Sequence, residues 1–166
     1  MTWNLRKALS LALAAVVLIF AAWMLWPRSL EDALDLEGRP LSATIITSGV
    51  EVTDMNSTPY HDFDDYAVEP GSPEADAIRE ILGRCSWHPC LDTLTGADAI
   101  SDIGNVSVYL YIGDMGASLS VHNGTGKAWL NDRVVRIGYL GNSQTAALCE
   151  ELARLLRTTA SLAPTA

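Results

Sequence analysis

Three cysteines, three histidines and a short run of carboxylates bound the chemistry open to this 166-residue chain. Cys85 and Cys90 bracket the segment CSWHPC. In an oxidising compartment two cysteines this close tend to pair, and four intervening residues with a proline permit closure. The expectation is a Cys85–Cys90 disulfide that staples the end of a helix to the loop after it. The same segment has a metal reading, because Cys85, His88 and Cys90 are all competent zinc ligands. It would need a fourth ligand from afar, His61 or His122, and its spacing is not that of a standard zinc finger. A thioredoxin-type redox motif requires two intervening residues, not four. Cys149 borders an apolar helical stripe and reads as a buried, inert thiol.

His61-Asp62-Phe63-Asp64-Asp65 gathers acid groups but lacks the glycine turn and ligand spacing of a calcium loop, so it reads as a solvated acidic segment. Asn123-Gly124-Thr125-Gly126-Lys127 superficially resembles a phosphate loop. It fails at Val121, where the first glycine belongs, and at Ala128, where Ser or Thr would bind magnesium. No G-x-S-x-G elbow occurs, so a Ser-His-Asp triad has no support. The sequence therefore offers no catalytic residue, no assigned metal ligand and no cofactor motif.

The elements that must position these residues can be read from periodicity. Leu41–Thr53, rich in Ile, Thr and Val, predicts a strand, with Gly49 as a bend. Tyr60, Phe63, Tyr66 and Val68 supply material for a second. Ser72-Pro73-Glu74 reads as a helix start, with Ser72 as cap and Pro73 in the first helical position. Ile78, Ile81 and Leu82 then share one face. Leu91–Asn105 looks irregular. Val106–Gly113 alternates cleanly, as does Ala117–His122, and Lys127–Asn131 and Arg133–Leu140 complete a meander. Asn123-Gly124 is the strongest hairpin signal, because both residues tolerate positive φ, and Asn131-Asp132 marks another turn. Gly141-Asn142-Ser143 opens a last helix, striped by Leu148, Leu152, Leu155 and Leu156. The expected domain is α+β: an antiparallel sheet of about four to five strands with two helices on one face. The other face stays open. If the register is right, it carries Tyr109, Tyr111, His122, Lys127, Trp129 and Arg136, and aromatics beside arginine are the chemistry of recognition surfaces. The competing reading is that this face is covered by another part of the chain or by a partner.

Upstream lies Ala8–Trp26, with no charge and one polar residue, Ser10. Eighteen helical residues from Leu9 to Trp26 span roughly 27 Å, close to a bilayer core of ~30 Å. Arg6 and Lys7 precede the run, which places the amino terminus in the cytoplasm and the rest outside. Trp23 and Trp26 mark the far boundary, and Pro27 ends the helix. A cleaved secretory signal has a shorter apolar core and a small-x-small site; this run is longer and ends in Trp-Met-Leu-Trp. The expected organisation is a signal-anchor over residues 1–27, a linker over 28–40, an extracytoplasmic domain over 41–158 and a frayed tail over 159–166. The lipid bilayer is then a partner through residues 8–26, and the chain is a single-pass protein of the cell membrane.

Net charge is −9, and all twenty acidic residues follow the apolar run. An acidic domain argues against nucleic acid, whose phosphates need clustered Lys and Arg. The mean hydropathy of +0.16 is raised by the apolar run and does not indicate a wholly integral protein.

Gly71-Ser72-Pro73-Glu74, Ile78 with Ile81-Leu82, and Trp129-Leu130-Asn131-Asp132 followed by a Leu-rich helix form an ordered set. Over residues 41 to 157 the chain resembles the small, membrane-anchored, extracytoplasmic domains common in Gram-positive bacteria of the Firmicutes group. The resemblance implies location and architecture and carries over no catalytic residue. The expected function is a non-enzymatic binding or regulatory module that meets a protein or envelope component through the open face. The alternatives are a metal-assisted hydrolase built on Cys85, His88 and Cys90, or an inhibitor of envelope proteases.

Overall fold

An unbroken apolar run with no interior proline or glycine has no alternative to helix, and Thr2–Leu25 forms one, α1, in the computed structural model. The structure describes residues 2–49, 60–96, 100, 103–113, 116–139 and 142–159. Within α1, the stretch Asn4–Leu25 contains an 18-residue window of mean hydropathy 2.5, none of it buried against the protein. A helix that is apolar all round is stable only when buried or in lipid, and this one is long and apolar enough to cross a membrane.

The remainder is α+β around one antiparallel sheet, larger than the four to five strands expected. Its elements are β1 (Arg28–Ser29), α2 (Leu30–Leu34), β2 (Leu41–Gly49), β3 (Tyr60–Val68), α3 (Pro73–Gly83), β4 (Ser86–Pro89), α4 (Leu91–Thr95), β5 (Val106–Ile112), β6 (Ser118–His122), β7 (Lys127–Leu130), β8 (Arg133–Tyr139), β9 (Asn142–Ser143) and α5 (Thr145–Thr159). Among the described residues eight strands run in the order β1-β4-β8-β7-β6-β5-β2-β3, and β9 adds a short pairing to β8. The order explains the undercount. Strands β5 to β8 were legible from alternation, β2 from its Ile, Thr and Val content and β3 from Tyr60, Phe63, Tyr66 and Val68, whereas β1 and β4 are too short to show a pattern.

Residues 28–40, expected as a linker, join the fold instead. Arg28 and Ser29 pair with Trp87 and Ser86. Ser29 caps α2 by accepting from the Asp32 N–H at 3.1 Å. Leu30 and Leu34, four apart on that helix, are fully buried. Only Trp26 and Pro27 therefore separate α1 from the sheet.

The expected disulfide does not form: Cys85, Cys90 and Cys149 are all free thiols. The cause is β4. Cys85 and Cys90 lie at opposite ends of this extended strand, which puts their Cα atoms roughly 16 Å apart at the usual rise, far beyond the ~7 Å limit for a bridge.

Local chemistry elsewhere follows expectation. Ser72 accepts from the Ala75 N–H at 3.1 Å and Pro73 takes the first position of α3. The hairpin turns exchange roles, however. The tight two-residue turn is Asn131-Asp132, with φ of 49° and 61°, between the paired residues Leu130 and Arg133. This is the geometry of a type I′ turn. At Asn123-Gly124 neither residue has positive φ. The Asn123 carboxamide accepts from the N–H groups of Asn105 and Val106 and donates to Glu150 Oε1. It holds the chain entering β5 against the β6–β7 connection.

Helices α2, α3 and α5 all lie on one face of the sheet. Beneath them Ile45, Val108, Leu110, Leu119, Val121 and Ile137 meet Leu82, Leu152 and Leu156 in one core. Cys149, expected to be buried, is inaccessible under α5, and its thiol points at the carbonyls of Val106 and Val121. Desolvation there pushes its pKa up to about 12, so the thiolate that would react is absent at neutral pH.

Candidate functional site

Register decides what the other face presents. Ser107 pairs with His122, Tyr109 with Ser120, and Tyr111 with Ser118. Ser120 pairs in turn with Trp129, Lys127 with Arg136, and Arg136 with His88. Directly paired residues in an antiparallel sheet share a face. Tyr109, Tyr111, His122, Lys127, Trp129 and Arg136 therefore lie on one side, opposite the helices.

They do not form one site. Tyr109, Tyr111 and Trp129 line a shallow depression of about 290 Å³ with Ser118, Ser120 and Asp132. Tyr111 is half exposed. Ser118 and Ser120 were legible as the polar positions of an alternating strand, but Asp132 reaches the rim only through its turn. Burial, and secondarily the neighbouring Tyr111, raises the Tyr109 phenol above its ordinary value, so it is a hydrogen-bonding hydroxyl at neutral pH and not a base.

His122 sits behind this depression, not in it. It is 1% exposed, and its ring meets Tyr109 and Trp129 edge to face at centroid distances of 5.9 and 6.1 Å. Nδ1 lies 2.7 Å from Ser107 Oγ, while Nε2 has no hydrogen-bond partner among the described residues. Burial lowers its pKa below the ordinary 6.5. The unfolded chain therefore binds a proton at a higher pH than the folded chain does. Stability is complete above about pH 6.5 and declines as the pH falls from there toward the lower folded pKa. Urea midpoints should drop between pH 7.5 and 5.5 in the natural protein and drop less in His122→Gln. Equal drops would mean that this imidazole is not the group responsible.

Lys127 is engaged by α4, which closes over this end of the face. Its ammonium pairs with Asp92 at 2.5 Å and holds that carboxyl below its usual pKa. Thr93 Oγ1 donates to the Val134 carbonyl and accepts from the Cys90 N–H. The segment expected to be irregular thus covers part of the face expected to be open. Arg136 looks away from the depression into a different groove, lined also by Met24 and Leu25 of α1. Both fall within the expected signal-anchor over residues 1–27.

Neither remaining chemical cluster is assembled. His88 Nδ1 lies 3.0 Å from the Pro89 carbonyl, and no group of three His, Cys, Asp or Glu among the described residues is placed to hold a metal. The extended β4 that prevents the disulfide also separates Cys85 from Cys90, so the hydrolase alternative loses its ligand set. In the acidic segment, Asp64 faces Arg157 at 3.8 Å and Asp65 accepts from Thr44 Oγ1 at 2.7 Å. Strand alternation sends these two carboxylates to opposite faces. The His61 and Asp62 side chains lie outside the described residues.

Fold and site together define an α+β domain with an eight-stranded antiparallel path, an aromatic depression on one face, and one N-terminal apolar helix. No protein-family model, curated protein or solved structure matches the chain.

Proposed function

We propose that this chain is a membrane-anchored, extracytoplasmic binding module, non-enzymatic, that holds a protein or envelope component in the depression between Tyr109, Tyr111 and Trp129. One observation carries the reading. The sheet places three aromatic side chains and a carboxylate on the face that α2, α3 and α5 leave uncovered. Rigid aromatics bring large contact area at small entropic cost, and they dominate binding energy where they are found. The orientation rests on Arg6 and Lys7 before the apolar helix, since basic residues stay in the cytoplasm.

A photo-crosslinking residue placed at Tyr111 in intact cells should yield a discrete adduct, and the same residue at Arg154, on the far side of the domain, should not. Trp129→Ala should weaken that adduct by about 2 kcal/mol of binding, the loss typical of a central aromatic, with an unchanged circular dichroism spectrum. Equal labelling at both positions overturns the reading. So does a Trp129→Ala protein that no longer folds, because the face is then structural.

A further inference from the structure

The C-terminal turn of α1 is not free of the sheet. Met24 and Leu25 form one wall of a groove of about 400 Å³, closed on its other sides by His88, Arg136, Ile137 and Tyr139. That volume is in the range of small-molecule sites. If α1 spans the bilayer, as proposed above, these two residues stand where the hydrocarbon layer gives way to headgroups. The apolar wall of the groove is then continuous with lipid.

Two guanidinium groups lie near the C-terminal end of α1. Arg136 is exposed and makes no salt bridge among the described residues, because the Asp92 carboxylate near it is bonded to Lys127 at 2.5 Å. A second guanidinium, Arg28, lies at the same end of α1, 5.1 Å from the ring of Trp23 and 5.0 Å from that of Trp87. Two arginines therefore stand at the end of an apolar helix in a protein of net charge −9. A guanidinium matches a phosphate through paired N–H donors.

We propose that the groove binds one anionic phospholipid from the leaflet that the C-terminal end of α1 reaches, with its phosphate on Arg136 and its chain along Met24, Leu25 and Tyr139. This rests on α1 being embedded, but not on the aromatic depression having a ligand. The bound lipid would fix the domain's height and rotation above the bilayer.

The test uses the full chain in nanodiscs of equal parts phosphatidylcholine and phosphatidylglycerol, released into native mass spectrometry. One phosphatidylglycerol should be retained in preference to phosphatidylcholine. Arg136→Ala should reduce that retention about tenfold, the scale of one charge-assisted hydrogen-bonded contact, while Arg154→Ala on α5 leaves it unchanged. Inorganic phosphate should not displace the lipid. Equal retention of the two lipids, equal retention by natural protein and Arg136→Ala, or displacement by free phosphate each overturns the site. A chain that does not enter nanodiscs overturns the anchor and the site together, whereas one that enters without lipid preference overturns the site alone.

Discussion

Leu34→Ala should remove about 3 kcal/mol of folding stability from the full-length protein, within the range for a fully buried leucine. Its thermal midpoint should fall by about 10 °C for a domain of this size. The composition of the segment around Leu34 hides its role. Residues 28–40 carry six charges, and a charged stretch between an apolar run and a domain ordinarily reads as a solvated connection. Yet Leu34 is completely buried, as is Leu30 one turn earlier. Several bonds hold the turn they share in place. The Leu30 N–H donates to the Cys85 carbonyl at 3.3 Å, and Asn131 Nδ2 donates to the Ala33 carbonyl at 3.2 Å. Trp87 Nε1 donates to the Ser29 carbonyl at 3.2 Å. The side chain cannot leave without a void between α2, α3 and the sheet. Were this segment a linker, the same substitution would fall within about 0.5 kcal/mol of neutral. Glu31→Ala is the internal control. Its ion pair with Arg79, at 3.5 Å, is more than a third exposed on both sides and should cost well under 1 kcal/mol. Thermal unfolding of the three proteins in one mild detergent separates the cases.

The contrast between Leu34 and Tyr109 shows where the chain is legible. Tyr109 lies in a seven-residue strand whose apolar and polar positions alternate, and period two suffices to assign its face. The same pattern placed Ser118, Ser120 and Trp129 correctly relative to it. Leu34 lies in a five-residue helix with three apolar positions, Leu30, Ala33 and Leu34, too short for a period of 3.6 to be established. Its local signals are the short helical turn that Leu30, Ala33 and Leu34 allow, and Ser29 three residues before Asp32. Strand β4 fails for a related reason. Ser86-Trp87-His88-Pro89 has no alternation to read, and the flanking cysteines suggest a closed turn where the chain is in fact extended between two other strands. Asn123-Gly124 carries the right residues for a tight hairpin, but the Asn123 side chain is committed to backbone 18 residues upstream, and that long-range bond cannot be seen in local sequence. The depression has the same character. Its strand residues follow from alternation, but Asp132 at its rim and α4 over its neighbour Lys127 come from tertiary packing alone.

Val17→Arg should release the chain from membranes while leaving the domain intact. At 1.5 Å per residue, the 18 uncharged residues Ala8–Leu25 of α1 span about 27 Å, close to a hydrocarbon core of ~30 Å. Val17 is well inside it and more than half exposed. Among the described residues the domain meets this helix near its end, where Arg28 packs on Trp23 and the groove takes in Met24 and Leu25. An arginine at mid-helix adds about 3 kcal/mol to the cost of insertion, which shifts the ratio of inserted to released chain by roughly a hundredfold. Alkaline carbonate extraction should accordingly move the protein from the pellet to the supernatant, with the thermal midpoint of the domain unchanged because Val17 supports nothing in it. A helix that instead packs on a second copy or on the domain itself gives the opposite pattern, a lower midpoint with fractionation unaltered. The short connection makes the first outcome informative about function as well. With only Trp26 and Pro27 between the apolar helix and β1, and Arg28 packed between Trp23 and Trp87, an inserted α1 constrains how the sheet faces the bilayer. The aromatic depression is then held in a restricted orientation to the bilayer.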